Sequence, residues 1–340
     1  MDFLKQIIKN SGNEDATIVE AGLDADVAGF LNTGSFAFNA LVSGSLYGGI
    51  PGNKITALAG ESSTGKTWFA LSLVEQFLKD NEKGVVIYFD TEQAVTTEMF
   101  ESRQIDGSRV AVFPVSTIEK FKHQSLKIVE EILALDAKEK VPMMFVLDSL
   151  GMLSTEKEVA DATEGKNVRD MTRAQAVRST FRVLSVKLGK AGIPLIVTNH
   201  TYNVVGAYVP TRDMSGGEGL KYSASTIIYL SKKKDKDASG EVVGNIIHCK
   251  TYKSRFTKEN REVDVQLNFE TGLNKYYGLV DIALKHGVFK KVSTRIELPD
   301  GTTAFEKNIN ENPEKYFTEQ VMNRLEEAVA KEFKYGGNDE

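Results

Sequence analysis

Residues 60–67 read Gly-Glu-Ser-Ser-Thr-Gly-Lys-Thr, which puts two glycines, a lysine and four hydroxyl side chains into eight positions. The pattern G-x-x-x-x-G-K-[ST] has a physical purpose. Gly60 and Gly65 let the backbone turn so that successive N–H groups face one point and form an anion nest at a helix N-terminus. Glu61, Ser62, Ser63 and Thr64 supply the intervening backbone of that nest. Lys66 reaches the terminal phosphates and the Thr67 hydroxyl ligates Mg²⁺. The apolar run ITALA before the motif and WFALSLVEQFL after it give the strand–loop–helix context that the chemistry needs. A nucleoside triphosphate is therefore the expected guest. Trp68, directly after Thr67, reads as a core residue placed to report on a bound nucleotide.

A triphosphate site that hydrolyses also needs carboxylates, one beside the metal and one to orient the attacking water. Asp148 ends the apolar run MMFVLD, where it could hold a metal-bound water with help from Ser149. An aspartate at a strand end also serves as a helix cap. Glu92, in YFDTEQ, is the candidate for orienting water. Ligands of open α/β sheets sit off the carboxyl ends of the strands, so Glu92 and Asp148 point at one crevice. Asp90 competes with Glu92, but the position two residues further out reaches better toward substrate.

These residues need a frame, and the sequence supplies one. Apolar runs at 55–59, 85–90, 109–114, 143–148 and 194–199 alternate with amphipathic stretches at 67–79, 117–135 and 171–190. Continuous apolar strands separated by helices predict an α/β fold with a mostly parallel central sheet, buried on both faces. Val177, Phe181, Leu184 and Leu188 form an apolar stripe at helical spacing, with Arg178 and Arg182 directed elsewhere. Strand-like runs at STIIYL, GNIIHC and REVDVQLNF predict an antiparallel extension of the sheet. Residues 1–30 read as an N-terminal arm, 31–275 as the core, and 276–340 as a small C-terminal α+β appendage. The stretch 201–219 holds four glycines and one proline, and a loop of that length inside a compact domain usually has a function.

At 340 residues with a formal net charge of −5, the chain has no global signature of a nucleic-acid binder, so such binding would come from local basic patches. The single cysteine, Cys249, closes no intramolecular disulfide and fits a reducing compartment. No apolar run approaches the ~20 residues of a membrane span, and the first residues lack a signal-peptide core. A cytoplasmic location without membrane contact is expected.

The order GESSTGKT, FDTEQ, LDSLG, VTNH, SGGEGLKY and KSRF resembles the RecA recombinase core over roughly residues 30–280. Within it, LDSLGMLSTEKEVADA, VRDMTRAQAVRSTFRV and NHTYN look closer to the UvsX branch of T-even-like phages. The resemblance implies a RecA-like P-loop NTPase core that uses ATP and Mg²⁺, with Glu92 as catalytic base. It makes His200, after Asn199, the sensor of the γ-phosphate, where RecA has glutamine. It implies two DNA-binding loops, at about 155–172 and 201–215, with Val168, Val204 and Val205 as wedges between base steps. Arg169, Arg173 and Arg178 cluster where the first loop enters its helix; such a cluster is either a solvated face or a phosphate-neutralising patch. Gly216 and Gly217 would offer backbone N–H groups to DNA, whereas Glu218 departs from the family asparagine. Lys253 and Arg255 fall where the family places two cations that reach the neighbouring subunit's nucleotide. Strict spacing puts Met99 at the adenine-stacking position, with the aromatic Phe100 next door.

The expected activity is that of a DNA-dependent ATPase that forms helical filaments on single-stranded DNA and exchanges strands with a homologous duplex. Expected partners are further copies of the chain, a single-strand-binding protein and a recombination mediator. A ring helicase would need a large N-terminal partner domain, and only about thirty residues precede the core. An inactive assembly factor would lack Lys66 or Glu92, and both are present. A small-molecule kinase would need an arginine-rich lid, which 201–219 does not provide.

Overall fold

The computed structural model describes residues 2–13, 16–23, 26–166, 171–203, 212–237 and 239–336. The amino end opens with helix α1 (Asp2–Ser11), whose Phe3, Leu4 and Ile7 are exposed. The short ribbon of β1 (Phe30–Leu31) and β2 (Ile50–Pro51) brackets the buried helix α2 (Phe36–Ser43), capped by the Ser35 hydroxyl. Then come β3 (Ile55–Gly60), α3 (Lys66–Asp80), β4 (Val85–Asp90), α4 (Thr97–Ser102), β5 (Val110–Pro114) and α5 (Ile118–Ala134). They are followed by β6 (Met143–Asp148), α6 (Glu156–Thr163), α7 (Arg173–Ala191), β7 (Leu195–Asn203), β8 (Arg212–Met214) and α8 (Glu218–Ser223). Three long strands, β9 (Thr226–Lys236), β10 (Val242–Ser254) and β11 (Glu262–Asn268), lead to the short β12 (Gly272–Leu273).

The main sheet runs β12-β11-β10-β9-β3-β7-β6-β4-β5, with β8 paired to β7. Strands β9, β3, β7, β6, β4 and β5 are mutually parallel. The run STIIYL was expected to open the antiparallel extension. Instead β9 lies parallel to β3, and the antiparallel part begins with β10. The reason is the connection: α8 and the segment before it carry the chain back across the sheet, as a parallel crossover requires.

Strand pleating splits β3 between two cores. Leu58 joins one, beneath α2 and α3; Ile55, Ala57 and Ala59 join the other, beneath α5 and α7. The predicted stripe of α7 is buried, with Val177, Phe181, Leu184 and Leu188 no more than 1% exposed. Gly192 ends that helix in the left-handed region at φ 68°.

At the carboxyl end of the chain, α9 (Leu279–Lys285) precedes a small sheet of β13 (Lys290–Val292), β14 (Arg295–Glu297) and β15 (Thr303–Ala304). Helices α10 (Glu306–Glu311), α11 (Pro313–Tyr316) and α12 (Glu319–Phe333) complete it. Its Leu325, Val329 and Phe333 share a buried cluster with Phe38 and Leu41 of α2. Polar contacts fasten the same junction: Glu326 accepts from the Leu46 N–H (2.7 Å), and the Lys258 N–H donates to the Phe333 carbonyl (2.7 Å). Among the described residues no helix is long and apolar enough to cross a membrane.

Candidate active site

The register fixes what meets what at the sheet's carboxyl edge. Gly60 lies opposite His200, and Asp90 opposite Asp148. A Cβ at Gly60 would stand 2.8 Å from the Leu230 carbonyl of β9, so only glycine lets the loop leave the sheet here. Gly65, in the left-handed region at φ 95°, is the N-cap of α3. The resulting nest suits a phosphate chain. Lys66 is only 6% exposed, and its Nζ donates to the carbonyls of Gly60 (3.0 Å) and Glu61 (2.8 Å). Burial lowers its pKa, while Asp148 and Glu92 oppose the shift. The Thr64 hydroxyl donates to the Glu61 carbonyl (2.7 Å) and stiffens the loop. Ser62 and Ser63 are exposed on its rim. Among the described residues the Thr67 hydroxyl has no hydrogen-bond partner, which leaves it open to a cation. Among the described residues no group of three or more His, Cys, Asp or Glu is placed to hold a metal ion, so a bound Mg²⁺ would rely on Thr67, water and phosphate oxygens.

The carboxylates divide their work clearly. Asp90 is buried, and its oxygens accept from the backbone N–H groups of Glu92 (3.1 Å), Ala94 (3.4 Å) and Val95 (3.3 Å). It holds the turn. Glu92, at the rim, accepts from the Ser149 hydroxyl (3.2 Å) and lies 3.4 Å from His200 Nε2. The other ring nitrogen of His200 is 3.5 Å from Lys66 Nζ. His200 thus bridges the phosphate-loop lysine and the candidate base. Asp148 is buried and doubly held: the Tyr88 hydroxyl donates to one oxygen (2.8 Å) and the Thr198 hydroxyl to the other. Burial, then Asp148 itself, raises the Tyr88 pKa well above its ordinary value and keeps it a donor.

His200 is also tied to the segment after β7. The Ser215 N–H donates to the His200 carbonyl (2.9 Å), and the Ser215 hydroxyl donates to Asn199 Oδ1 (2.7 Å). Asn199 Nδ2 returns a bond to the Ser215 carbonyl (2.9 Å). Gly216 and Gly217 follow at once, with φ 85° and 71°. A second tie crosses from the phosphate loop, where Glu61 pairs with Arg212 at 2.8 Å.

Other expected residues stand differently. Phe100 is 7% exposed, edge-on to Tyr88 with centroids 6.1 Å apart, so it belongs to the core and offers no open face to a base. Trp68 is half-buried beneath the Arg103 guanidinium, 5.3 Å from the ring. The exposed ring of Phe269 follows β11, whose Leu267 would meet a side chain at Gly65 at 3.6 Å. Nothing in the run LNFET singles that ring out from the sequence. The first expected DNA loop is helical over α6, capped by Thr155. Arg173 donates to the carbonyls of Leu153 (3.0 Å) and Gly151 (3.0 Å), which makes it a clamp on the turn after β6 rather than a free phosphate ligand. Arg178 is exposed, 5.7 Å from the Tyr222 ring. Val168, Arg169, Val204 and Val205 lie outside the described residues.

Lys253 and Arg255 lie at the far edge of the sheet. Ser254 pairs with Thr226, and Thr226 with Thr56 near the start of β3. Four residue steps of β3, Thr56 to Gly60, roughly 13 Å, separate that edge from the phosphate loop. Lys253 Nζ donates to the carbonyls of Lys221 (2.6 Å) and Tyr222 (3.2 Å), while Arg255 is exposed.

The model of the RecA N-terminal domain family matches residues 2–274. The chain belongs to that family. It is 33% identical over 253 residues to a recombination and repair protein of Enterobacteria phage T4, a match covering 74% of this chain and 63% of the phage protein. It is 25% identical over 289 residues to protein RecA of Mycoplasmopsis pulmonis, covering 85% of the chain and 80% of that relative. With protein RecA of Paracoccus denitrificans it shares 26% over 298 residues. In this RecA-family chain, the six-stranded parallel part of the sheet carries the phosphate loop, Glu92, Asp148 and His200 on one edge.

Proposed function

We propose that the chain is a DNA-dependent ATPase of the recombinase type, which stacks into a helical filament on single-stranded DNA and exchanges that strand with a homologous duplex. The observation that carries this reading is the position of His200. It stands between Lys66 and Glu92 while its own backbone is bonded to Ser215, next to Gly216 and Gly217. A change at the phosphate end is thereby coupled to a segment that can hold DNA phosphates through backbone N–H groups. The names of the relatives, a recombination and repair protein and two RecA proteins, point the same way.

In this reading Lys66 leaves the Gly60 and Glu61 carbonyls for the terminal phosphates of ATP, and the nest of 60–67 holds the rest. Glu92 takes the proton of the attacking water, with Ser149 fixing one of its oxygens. Tyr88 and Thr198 lock Asp148 so that it can orient a water beside Thr67. Mg²⁺, when bound, neutralises charge on the phosphate oxygens. Lys253 and Arg255, too far from their own phosphate loop, act on the nucleotide of a neighbouring copy, the arrangement of an arginine finger in trans. The exposed Phe3, Leu4 and Ile7 of α1 dock the arm on that neighbour, and residues 276–340 form an appendage. A single-strand-binding protein and a mediator would complete the cycle.

Joint-molecule formation between a circular single strand and a homologous linear duplex tests the reading. ATP-dependent joint molecules are expected. ATP-dependent filaments without them would identify an assembly factor, and hexameric rings that unwind forks would identify a helicase; either outcome overturns it.

A further inference from the structure

The turn after β6, Leu150–Met152, adjoins both groups that face Glu92. Ser149, immediately before it, donates its hydroxyl to Glu92 Oε1 (3.2 Å), the same oxygen that lies 3.4 Å from His200 Nε2. Gly151, within the turn, is packed against β7. A Cβ there would stand 2.7 Å from Ser215 Oγ, 3.0 Å from His200 Cδ2 and 3.3 Å from Asn199 Oδ1. Cδ2 is bonded to Nε2, so Gly151 touches the edge of the imidazole that faces Glu92. Leu150 packs beside Gly216, where an added Cβ would meet its Cδ2 at 3.4 Å.

Two side chains hold this turn. On one side the Thr91 hydroxyl reaches the carbonyls of Asp148 (3.1 Å) and Ser149 (3.0 Å) and accepts from the Ser149 N–H (2.8 Å). On the other, Arg173 Nε donates to the Leu153 carbonyl (3.0 Å), and its Nη2 to those of Gly151 (3.0 Å) and Leu150 (3.4 Å). One guanidinium fork grips three carbonyls, a geometry that a lysine ammonium does not reproduce. Arg173 is also the first residue of α7, directly after the first expected DNA loop.

We propose that Arg173 is a positioning residue: through Gly151 it sets the His200 ring against Glu92, so that a rearrangement of the first loop on DNA is felt at the carboxylate. The coupling of His200 to the segment at Ser215 is thereby joined by a second path, from the other expected loop. The consequence for turnover rests on the recombinase reading; the action of Arg173 on the His200 ring does not.

The first arm of the test follows imidazole NMR signals of the full chain without DNA or nucleotide. The histidines are His123, His200, His248 and His286, and His200→Gln assigns the signal of interest. Arg173→Lys is expected to move that signal and leave the other three in place. Gly151→Ala should move the same signal with Arg173 intact. The second arm measures ATP turnover and binding of labelled single-stranded DNA. Because Arg173→Lys keeps the charge, its log–log salt slope for DNA binding should match the parent. Its DNA-stimulated kcat should nonetheless fall by about 10²-fold, the scale of a misplaced catalytic group, with the KM for ATP unchanged. A phosphate-ligand role would instead leave kcat parent-like wherever the charge is kept. The proposal is overturned by a His200 signal unmoved in either variant, or by a parent-like stimulated kcat in Arg173→Lys. Equal movement of all four signals in Arg173→Lys would make the residue a general anchor of the fold and overturns it too. Parent protein without any DNA-stimulated turnover would sink the recombinase reading, and the NMR comparison would still decide whether Arg173 sets the ring.

Discussion

Asp90 and Glu92 sit two residues apart at one strand end, and their surroundings give them opposite work. Three backbone N–H groups claim Asp90, while Glu92 faces outward, with Ser149 and His200 as its side-chain partners among the described residues. Glu92→Gln is therefore expected to lower phosphate release by about 10²-fold or more while ATP-dependent retention of DNA persists. Equal loss of both in turnover and anisotropy measurements would make the carboxylate structural. Tyr88 poses a different question, because its hydroxyl is one of two donors holding a buried carboxylate. Tyr88→Phe keeps the ring and deletes that donor, which should cost about 1.5–3 kcal/mol in urea unfolding. Residues of the phosphate loop were legible in the sequence because their pattern encodes local backbone geometry. The role of Asp90, the burial of Phe100 and the clamp made by Arg173 were not, since each depends on what arrives from elsewhere in the chain.

At the scale of elements, the five apolar runs named as strands are β3 to β7, and the three amphipathic stretches are α3, α5 and α7. Periodicity exposes such segments because burial on both faces or on one stripe leaves a local pattern. Helix α6 escaped because TEKEVADATEG has Val159 as its one large apolar side chain and the helix buries none of its residues, and β8 and α8 because they are short. The crossing of α8 over α7 shows what such short pieces require. A Cβ at Gly219 would lie 2.7 Å from both the backbone N and the Cα of Arg178. Gly219→Ala is expected to push α8 outward, lowering stability by about 1–3 kcal/mol in thermal melts. Because Gly216 and Gly217 lead directly into that helix, single-strand affinity should fall in parallel. Unchanged melting would show that the two helices separate freely.

At the scale of the whole molecule, helix α12 is tied to the end of α9 within the carboxyl-terminal part, and one carboxylate makes that tie sensitive to acid. Glu332 is 6% exposed at its side chain and accepts from both Lys285 and His286. Burial raises its pKa, but the two donors outweigh that and hold it below the ordinary 4.5. A carboxyl with a depressed pKa contributes its full stability above its ordinary value and loses it as pH falls through the folded one. Glu332→Gln should thus be less stable than the parent near neutrality, and the gap should narrow as pH falls below 4.5 and through the lowered folded value. A gap independent of pH would mean that the pairing has no energetic role. The placement of Lys253 and Arg255 across the sheet from the phosphate loop carries a broader corollary for the filament reading. Each molecule then brings half of a catalytic centre on either end, so a row of copies contains one fewer finished centre than it has members. Output per molecule would climb with the length of the row, short rows would be the least productive, and the terminal copy would hold a nucleotide it cannot cleave.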